Sequence, residues 1–152
     1  MRTKYAVTAL LLSLTAPAFA DDMKFIPLQD FINQSGAAKD PASIGYVMSR
    51  CSALYSVFAK NLEGETDPER QKRKAEWYNA GERFMGAAAG LMMSGTTIEI
   101  KDALARTGGI VVGIGNLYSD RIEQARLLTG NIFNDILIAG DFTTCKEFLK
   151  IL

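Results

Sequence analysis

Histidine is absent from the 152 residues of this chain, and cysteine occurs only twice. Without an imidazole, the chain has no Ser–His or Cys–His pair for nucleophilic catalysis and no histidine ligand for zinc. Two cysteines do not complete a zinc site, and Cys51 and Cys145 lack the C-x-x-C spacing of a thioredoxin-like motif. We therefore predict no catalytic residue, no metal site and no cofactor.

The chain also lacks an excess of charge of either sign, with 17 basic and 17 acidic residues. A domain without net charge has no global reason to bind DNA, RNA or anionic lipid. Its one basic cluster holds Arg70, Lys72, Arg73 and Lys74, but acidic residues surround it, and Glu69 stands four residues before Arg73. We interpret the cluster as a solvated helix face. The alternative is a binding patch for a phosphate or an acidic partner.

Long apolar runs are missing as well. The longest, Tyr5 to Leu14, has about ten residues, roughly half of what a transmembrane helix needs. A basic start precedes it and the small-x-small signal Ala18-Phe19-Ala20 follows it, which is typical of a secretory signal peptide. We predict that residues 1–20 are cleaved, leaving an exported domain of residues 21–152. It would lie in the periplasm of a Gram-negative bacterium and otherwise be secreted, whereas an uncleaved membrane anchor is the alternative.

Two cysteines in an oxidising compartment allow one intramolecular pairing, so we predict a Cys51–Cys145 disulfide. Such a bond closes a loop of more than ninety residues, which the chain-entropy model values at about 4–5 kcal/mol. Arg50 lies beside one cysteine and Asp141 lies four residues before the other, so the bond would bring them within reach. We predict a structural ion pair between them. Two buried thiols, an intermolecular bond or a thiolate activated by Arg50 are the alternatives.

Apolar residues recur at spacings of three and four along most of the chain, which is typical of amphipathic helices. The clearest stripe runs from Ser43 to Leu62, with Asp40 as the N-cap and Pro41 in the first turn. Further helical segments are predicted over residues 27–32, 67–93, 96–107, 110–128, 131–139 and 141–152. We predict a single compact all-α bundle of about five helices, with one disulfide tying the second helix to the C-terminal helix.

Glycine is frequent inside two of these segments. Gly86 and Gly90 are four residues apart, as are Gly109 and Gly113, so each pair lies on one helix face. We interpret both pairs as points where two helices approach closely. The segment Gly108–Gly115 lacks the G-x-G-x-x-G spacing of a phosphate loop. We expect it to end or kink a helix, with a strand as the rival interpretation.

For function, we predict a small exported non-catalytic protein that works by binding another macromolecule, in the manner of an inhibitor, an immunity protein or a chaperone. Four aromatic residues are the candidate anchors of that interface: Tyr46, Trp77, Tyr78 and Tyr118. One alternative is a carrier that holds a small apolar ligand or lipid in a helical cavity. A further alternative is a hydrolase using carboxylates, with Glu76, Glu82 and Asp120 as candidates.

Overall fold

A computed structural model describes residues 25–36 and 40–152 of the chain. They form five α-helices and one 3₁₀ turn: α1 (Leu28–Ser35), α2 (Pro41–Lys60), α3 (Pro68–Met93), α4 (Ile100–Thr129), the 3₁₀ turn Ile132–Asn134, and α5 (Ile136–Leu149). No strand occurs in these residues, so the all-α prediction is confirmed. None of their helices is long and apolar enough to cross a membrane. The predicted signal peptide, residues 1–20, lies outside the described residues.

Helix α2 is the centre of the bundle. It begins as predicted, because the Asp40 carboxylate accepts hydrogen bonds from the amides of Ala42 and Ser43, and Pro41 occupies the first turn. From Val47 to Ala59 every residue except Ser56 is buried. The helix contacts α1, α3, α4 and α5. Almost the whole circumference of α2 is therefore in the core, rather than a single stripe.

The close approach between α2 and α3 occurs at Gly81. A Cβ atom added there would lie 2.9 Å from Ser56 Oγ and 3.3 Å from the Ser52 carbonyl oxygen. The Ser52 hydroxyl donates a hydrogen bond of 2.8 Å to the Gly81 carbonyl, which joins the two helices directly. A side chain at this position would force the Ser56 hydroxyl to shift and would crowd the Ser52 backbone.

The predicted close packing at the two glycine pairs is wrong. Gly86, Gly90, Gly109 and Gly113 are all exposed, and a Cβ atom at each would meet nothing within 4 Å. The core is instead lined by residues such as Phe84 on α3 and Val111 on α4. Both glycine pairs lie on the outer sides of their helices.

Helix α4 runs without interruption through the glycine-rich segment 108–115, so the helix does not end there and the rival interpretation as a strand is wrong. The physical reason is its continuous buried face, which carries Ala103, Thr107, Val111 and Ile114 at helical spacing. Burial of this face outweighs the roughly 1 kcal/mol that each internal glycine costs. Upstream, α4 begins at Ile100 rather than at residue 96, with Glu99 as an N-cap that makes no side-chain cap bond.

Helix α5 carries the second cysteine. The Asp135 carboxylate caps it by accepting hydrogen bonds from the Leu137 and Ile138 amides. The helix then passes through Gly140, where two separate helices were expected. Cys145 forms the predicted disulfide with Cys51, so the link between the second helix and the C-terminal helix is confirmed.

Candidate functional site

The disulfide lies beside a buried ion pair. Arg50 Nη2 donates to Asp141 Oδ2, and neither side chain has any exposure to solvent. The second carboxylate oxygen, Oδ1, accepts a 2.6 Å hydrogen bond from the Leu28 amide. Arg50 Nη1 donates to the Ile26 carbonyl at 2.7 Å. The two residues that sequence reasoning placed together are therefore in contact, and both also hold the segment leading into α1.

Tyr118 completes this network. Its hydroxyl donates to Asp141 Oδ2 and accepts a 3.2 Å hydrogen bond from Arg50 Nε, and the residue is fully buried. The ring of Phe25 contacts the Tyr118 ring edge-on, with centroids 5.1 Å apart, and also covers the Arg50 guanidinium at 4.3 Å. The prediction that Tyr118 anchors an interface is wrong, because its hydroxyl is used inside the core and its ring is enclosed.

Burial sets the protonation of the network. Desolvation raises the pKa of Tyr118 well above its ordinary value of 10.0, and the nearby charge of Asp141 acts in the same direction. Desolvation also raises the pKa of Asp141, although the Arg50 charge and the hydrogen bonds from Tyr118 and Leu28 oppose this effect. The hydroxyl of Tyr118 thus stays protonated as the donor to Asp141.

This network is a structural element rather than a reaction site. Its charged and hydroxyl groups point at one another or at backbone groups of Ile26 and Leu28, and Arg50, Tyr118 and Asp141 are closed off from solvent. A substrate would have to displace these partners and enter the core. The network instead fastens the chain at residues 25–28 against α2, α4 and α5.

The other three candidate aromatic residues lie nearer the surface. Tyr46 is partly buried against Phe31, with ring centroids 4.9 Å apart, and Trp77 is partly buried against Phe58 at 5.2 Å. Tyr78 is 57% exposed. Of the four predicted anchors, Tyr78 alone presents most of its side chain to solvent.

The three candidate carboxylates are exposed. Glu76 and Glu82 lie on α3 and Asp120 lies on α4, and no hydrogen bond or ion pair joins any two of them. No group of three or more histidine, cysteine, aspartate or glutamate residues that could hold a metal ion occurs in the described part of the chain. The structure therefore brings no acid–base pair together at these positions.

An open groove runs beside the start of α5. It has a volume of about 570 Å³, and no charged side chain lines it. Its walls, which we call the α5 groove, are Gln29, Phe133, Asn134, Ile136, Ala139, Gly140, Thr143 and Thr144. Ile136 is 83% exposed at this surface. Such a cleft, apolar with a few polar groups, has the composition of a binding site.

Large apolar side chains are exposed from the end of α4 to the wall of the groove. Leu127 and Leu128 are 79% and 84% exposed, and Phe133 is 40% exposed. Helical spacing from Val111 would continue the buried stripe of α4 to Leu128, but burial on that helix ends at Ala125. One signal was available: Leu127 and Leu128 are adjacent, so they cannot both face the core of one helix.

Comparison with protein families, with curated proteins and with solved structures finds no match to this chain. A fold of this kind carries no function by itself. The proposals below accordingly stand on the geometry of the sites.

Proposed function

We propose that the protein acts without catalysis, by binding another protein through the α5 groove. The carrying observation is the exposure of large apolar side chains in the wall of the groove, Ile136 at 83% and Phe133 at 40%. Covering a side chain of this size contributes about 1.5–3 kcal/mol. A contiguous apolar surface with a polar rim is the usual mark of an interaction site.

The rim of the groove indicates the chemistry of the partner. Its polar side chains are those of Gln29, Asn134, Thr143 and Thr144, which are uncharged hydrogen-bonding groups. A charged partner segment would lose its hydration there without meeting an opposite charge. The fitting occupant is therefore an uncharged, mainly apolar segment of a partner protein, whose polar groups pair with amide and hydroxyl groups on the rim.

The scaffold beneath the groove supports a binding role. Gly140 and Thr144 in its wall belong to α5, which is fastened to α2 by the Cys51–Cys145 disulfide. A preformed surface loses little conformational entropy when a partner binds. Export of the protein belongs to the same proposal: residues 1–20 have the features of a signal peptide, and a disulfide is compatible with an oxidising compartment.

The test uses affinity capture with three baits: the wild-type protein, Ile136→Asp in the groove, and Ile100→Asp. Ile100 is a matched control because it is 54% exposed and lies at the first residue of α4, while the groove follows that helix's end. The partner identified with the wild type is then purified and titrated against all three proteins by calorimetry. We expect Ile136→Asp to weaken the complex at least about tenfold, because a charge replaces buried apolar surface, and Ile100→Asp to bind as the wild type does.

Equal binding by the two variants would refute the groove as the site. If the wild type sediments as a dimer and Ile136→Asp as a monomer, the occupant is a second copy of this chain and the proposal of a different partner is wrong. Native mass spectrometry of the purified protein distinguishes the carrier hypothesis. A co-purifying ligand mass would favour a carrier, whereas the bare chain mass agrees with a protein that binds a macromolecule.

A further inference from the structure

A second cleft lies on the other side of the 3₁₀ turn and has a different chemistry. It has a volume of about 350 Å³, between the end of α2, the start of α3 and the end of α4. Its apolar side chains are those of Phe58, Leu62, Trp77 and Ile132. Its charged side chains are those of Arg70, Arg73, Arg126 and Glu65, so three guanidinium groups face one carboxylate. We call it the arginine cleft.

The positive charge of this cleft is not neutralised within the described residues. The Glu65 carboxylate forms an ion pair with Arg70, whose Nη1 lies 2.6 Å from Glu65 Oε1. Arg126 donates to the neutral amide oxygen of Asn61 at 2.9 Å. No hydrogen bond or ion pair joins Arg73 to another described residue. Two guanidinium groups therefore remain without a carboxylate.

The backbone adds to this positive field. Helix α3 begins at Pro68, so Arg70 lies in its first turn, near the positive end of the helix dipole, and the Asp67 carboxylate caps that end. A cation at this end of a helix reduces its stability, and an anion in the cleft would relieve the repulsion between the guanidinium groups. The sequence pattern of basic residues in this region was interpreted as a solvated face. Arg70 and Arg73 are exposed to solvent, as that interpretation expects, and they also line the wall of a cleft.

The floor of the cleft determines what the anion must carry. The rings of Phe58 and Trp77 contact each other with centroids 5.2 Å apart, and Phe58 is almost fully buried. An inorganic ion would leave the partly exposed ring of Trp77 uncovered, whereas a flat hydrocarbon or aromatic group would cover it. We propose that the arginine cleft binds a small organic anion, whose carboxylate or phosphate pairs with Arg73 and Arg126 while its apolar body lies against Trp77.

Trp77 makes the cleft directly observable, because it is the single tryptophan of the chain. Purified protein is titrated with two aromatic anions, phenyl phosphate and benzoate. Inorganic phosphate is the control that has the charge but no aromatic ring, and benzyl alcohol is the control that has the ring but no charge. Tryptophan fluorescence and the chemical shift of the indole N–H are followed together. We expect saturable changes with the two aromatic anions, weaker binding of inorganic phosphate and none of benzyl alcohol, and an affinity that falls with added salt.

Variants locate the site. Arg73→Gln and Arg126→Gln are each expected to raise the Kd for phenyl phosphate about tenfold, since each removes one charge-assisted hydrogen bond. Arg73→Gln breaks no hydrogen bond or ion pair among the described residues, so its thermal unfolding should match that of the wild type. Lys72→Gln is the matched control, because Lys72 is exposed on the same helix and does not line the cleft. Glu65→Gln removes the carboxylate that pairs with Arg70, so this variant should bind the anion more tightly.

The proposal is overturned if neither signal of Trp77 responds to any of the anions. It is equally overturned if benzyl alcohol binds as well as phenyl phosphate, or if Lys72→Gln weakens binding as much as Arg73→Gln. None of these outcomes bears on the α5 groove, because the residues lining the two clefts are different.

Discussion

Arg50 and Asp141 illustrate how much a single buried residue contributes here. With both side chains unexposed, Asp141→Asn leaves the Arg50 charge in the core without a counter-ion. We expect a loss of about 3–5 kcal/mol in the free energy of unfolding, measured by urea denaturation. The matched control is Arg121→Gln, which breaks the pair with Asp135 at side-chain exposures of 40% and 15%. That half-exposed pair should contribute no more than about 1 kcal/mol.

A double variant separates the ion pair from the cost of an orphaned charge. Replacing Arg50 by Met and Asp141 by Leu removes both charges, so no unpaired ion is left in the core. We expect the double variant to lose less free energy of unfolding than the single variants Arg50→Met and Asp141→Leu lose in sum. Losses that add would mean that the residues do not stabilise each other, despite the contact between them.

Thr107 is a residue whose polar group works against stability. Its Oγ1 is buried and has no hydrogen-bond partner among the described residues. Thr107→Val keeps the branched shape and removes the hydroxyl, so we expect the free energy of unfolding to rise by about 1 kcal/mol. Ser52→Ala is the opposite case, because the Ser52 hydroxyl donates to the Gly81 carbonyl and its loss should destabilise. A loss of stability in Thr107→Val would contradict this prediction.

Tyr118 gives the protein a specific sensitivity to alkali. Burial and the Asp141 charge hold the pKa of Tyr118 well above 10.0 in the folded state. In the unfolded state the pKa of a tyrosine is about 10. The unfolded state then binds fewer protons than the native state, so stability falls as pH rises above about 10, by up to about 1.4 kcal/mol per pH unit. Below that pH the effect is absent.

The measurement is the urea midpoint as a function of pH, for the wild type and two variants. Tyr118→Phe should be less stable at neutral pH, because the hydrogen bonds to Asp141 and Arg50 are lost, but its stability should decline less steeply above about pH 10. Tyr78→Phe, at a residue 57% exposed, is the control for removing a tyrosine hydroxyl. Identical slopes in all three proteins would show that Tyr118 is not the titrating group.

At the scale of the helices, two glycines of α3 predict opposite responses to the same substitution. Gly81→Ala places a Cβ atom 3.3 Å from the Ser52 carbonyl oxygen of α2, and overpacking of this kind costs about 1–3 kcal/mol. Gly86→Ala meets nothing within 4 Å and gains the better helix propensity of alanine, about 1 kcal/mol. Circular dichroism during thermal unfolding measures both, and equal shifts would contradict the packing of α3 on α2.

The start of α2 could be predicted because its signal is local. Asp40 and Pro41 act within one turn of themselves, and the structure uses both. Gly108 and Gly140 were interpreted as helix ends, but both helices continue through them. Whether a helix continues past a glycine depends on how much apolar surface the residues on either side bury in the fold. Val111 on α4 and Ile138 on α5 are buried, and their faces hold the helices together across those glycines.

Across the whole molecule, contacts between residues were predicted more accurately from the sequence than the exposure of residues at the surface. The cysteines pair because only one intramolecular pairing existed, and Arg50 and Asp141 are their neighbours along two helices. The α5 groove could not be predicted in this way. Gln29 and Thr143 come together in its wall through long-range packing, and no local pattern marks Ile136 as exposed.

The disulfide contributes to stability at the scale of the whole chain. It spans a sequence separation of 94 that contains α3 and α4 entirely. Removing it by Cys51→Ala frees that loop in the unfolded state, and we expect a loss of about 4–5 kcal/mol. A domain of this size has a total of about 5–15 kcal/mol. The midpoint of thermal unfolding should therefore fall by many degrees.

The double variant and reduction test whether this loss belongs to the bond. Once the bond is absent, Cys145→Ala changes only the packing of a small side chain, so adding it to Cys51→Ala should cost little more. Wild-type protein that is unfolded, reduced and refolded in reductant should match the double variant, whereas native protein should resist the same reductant because both sulfurs are buried. Two nearly additive losses would mean that the cysteines stabilise the fold separately, each by its own packing.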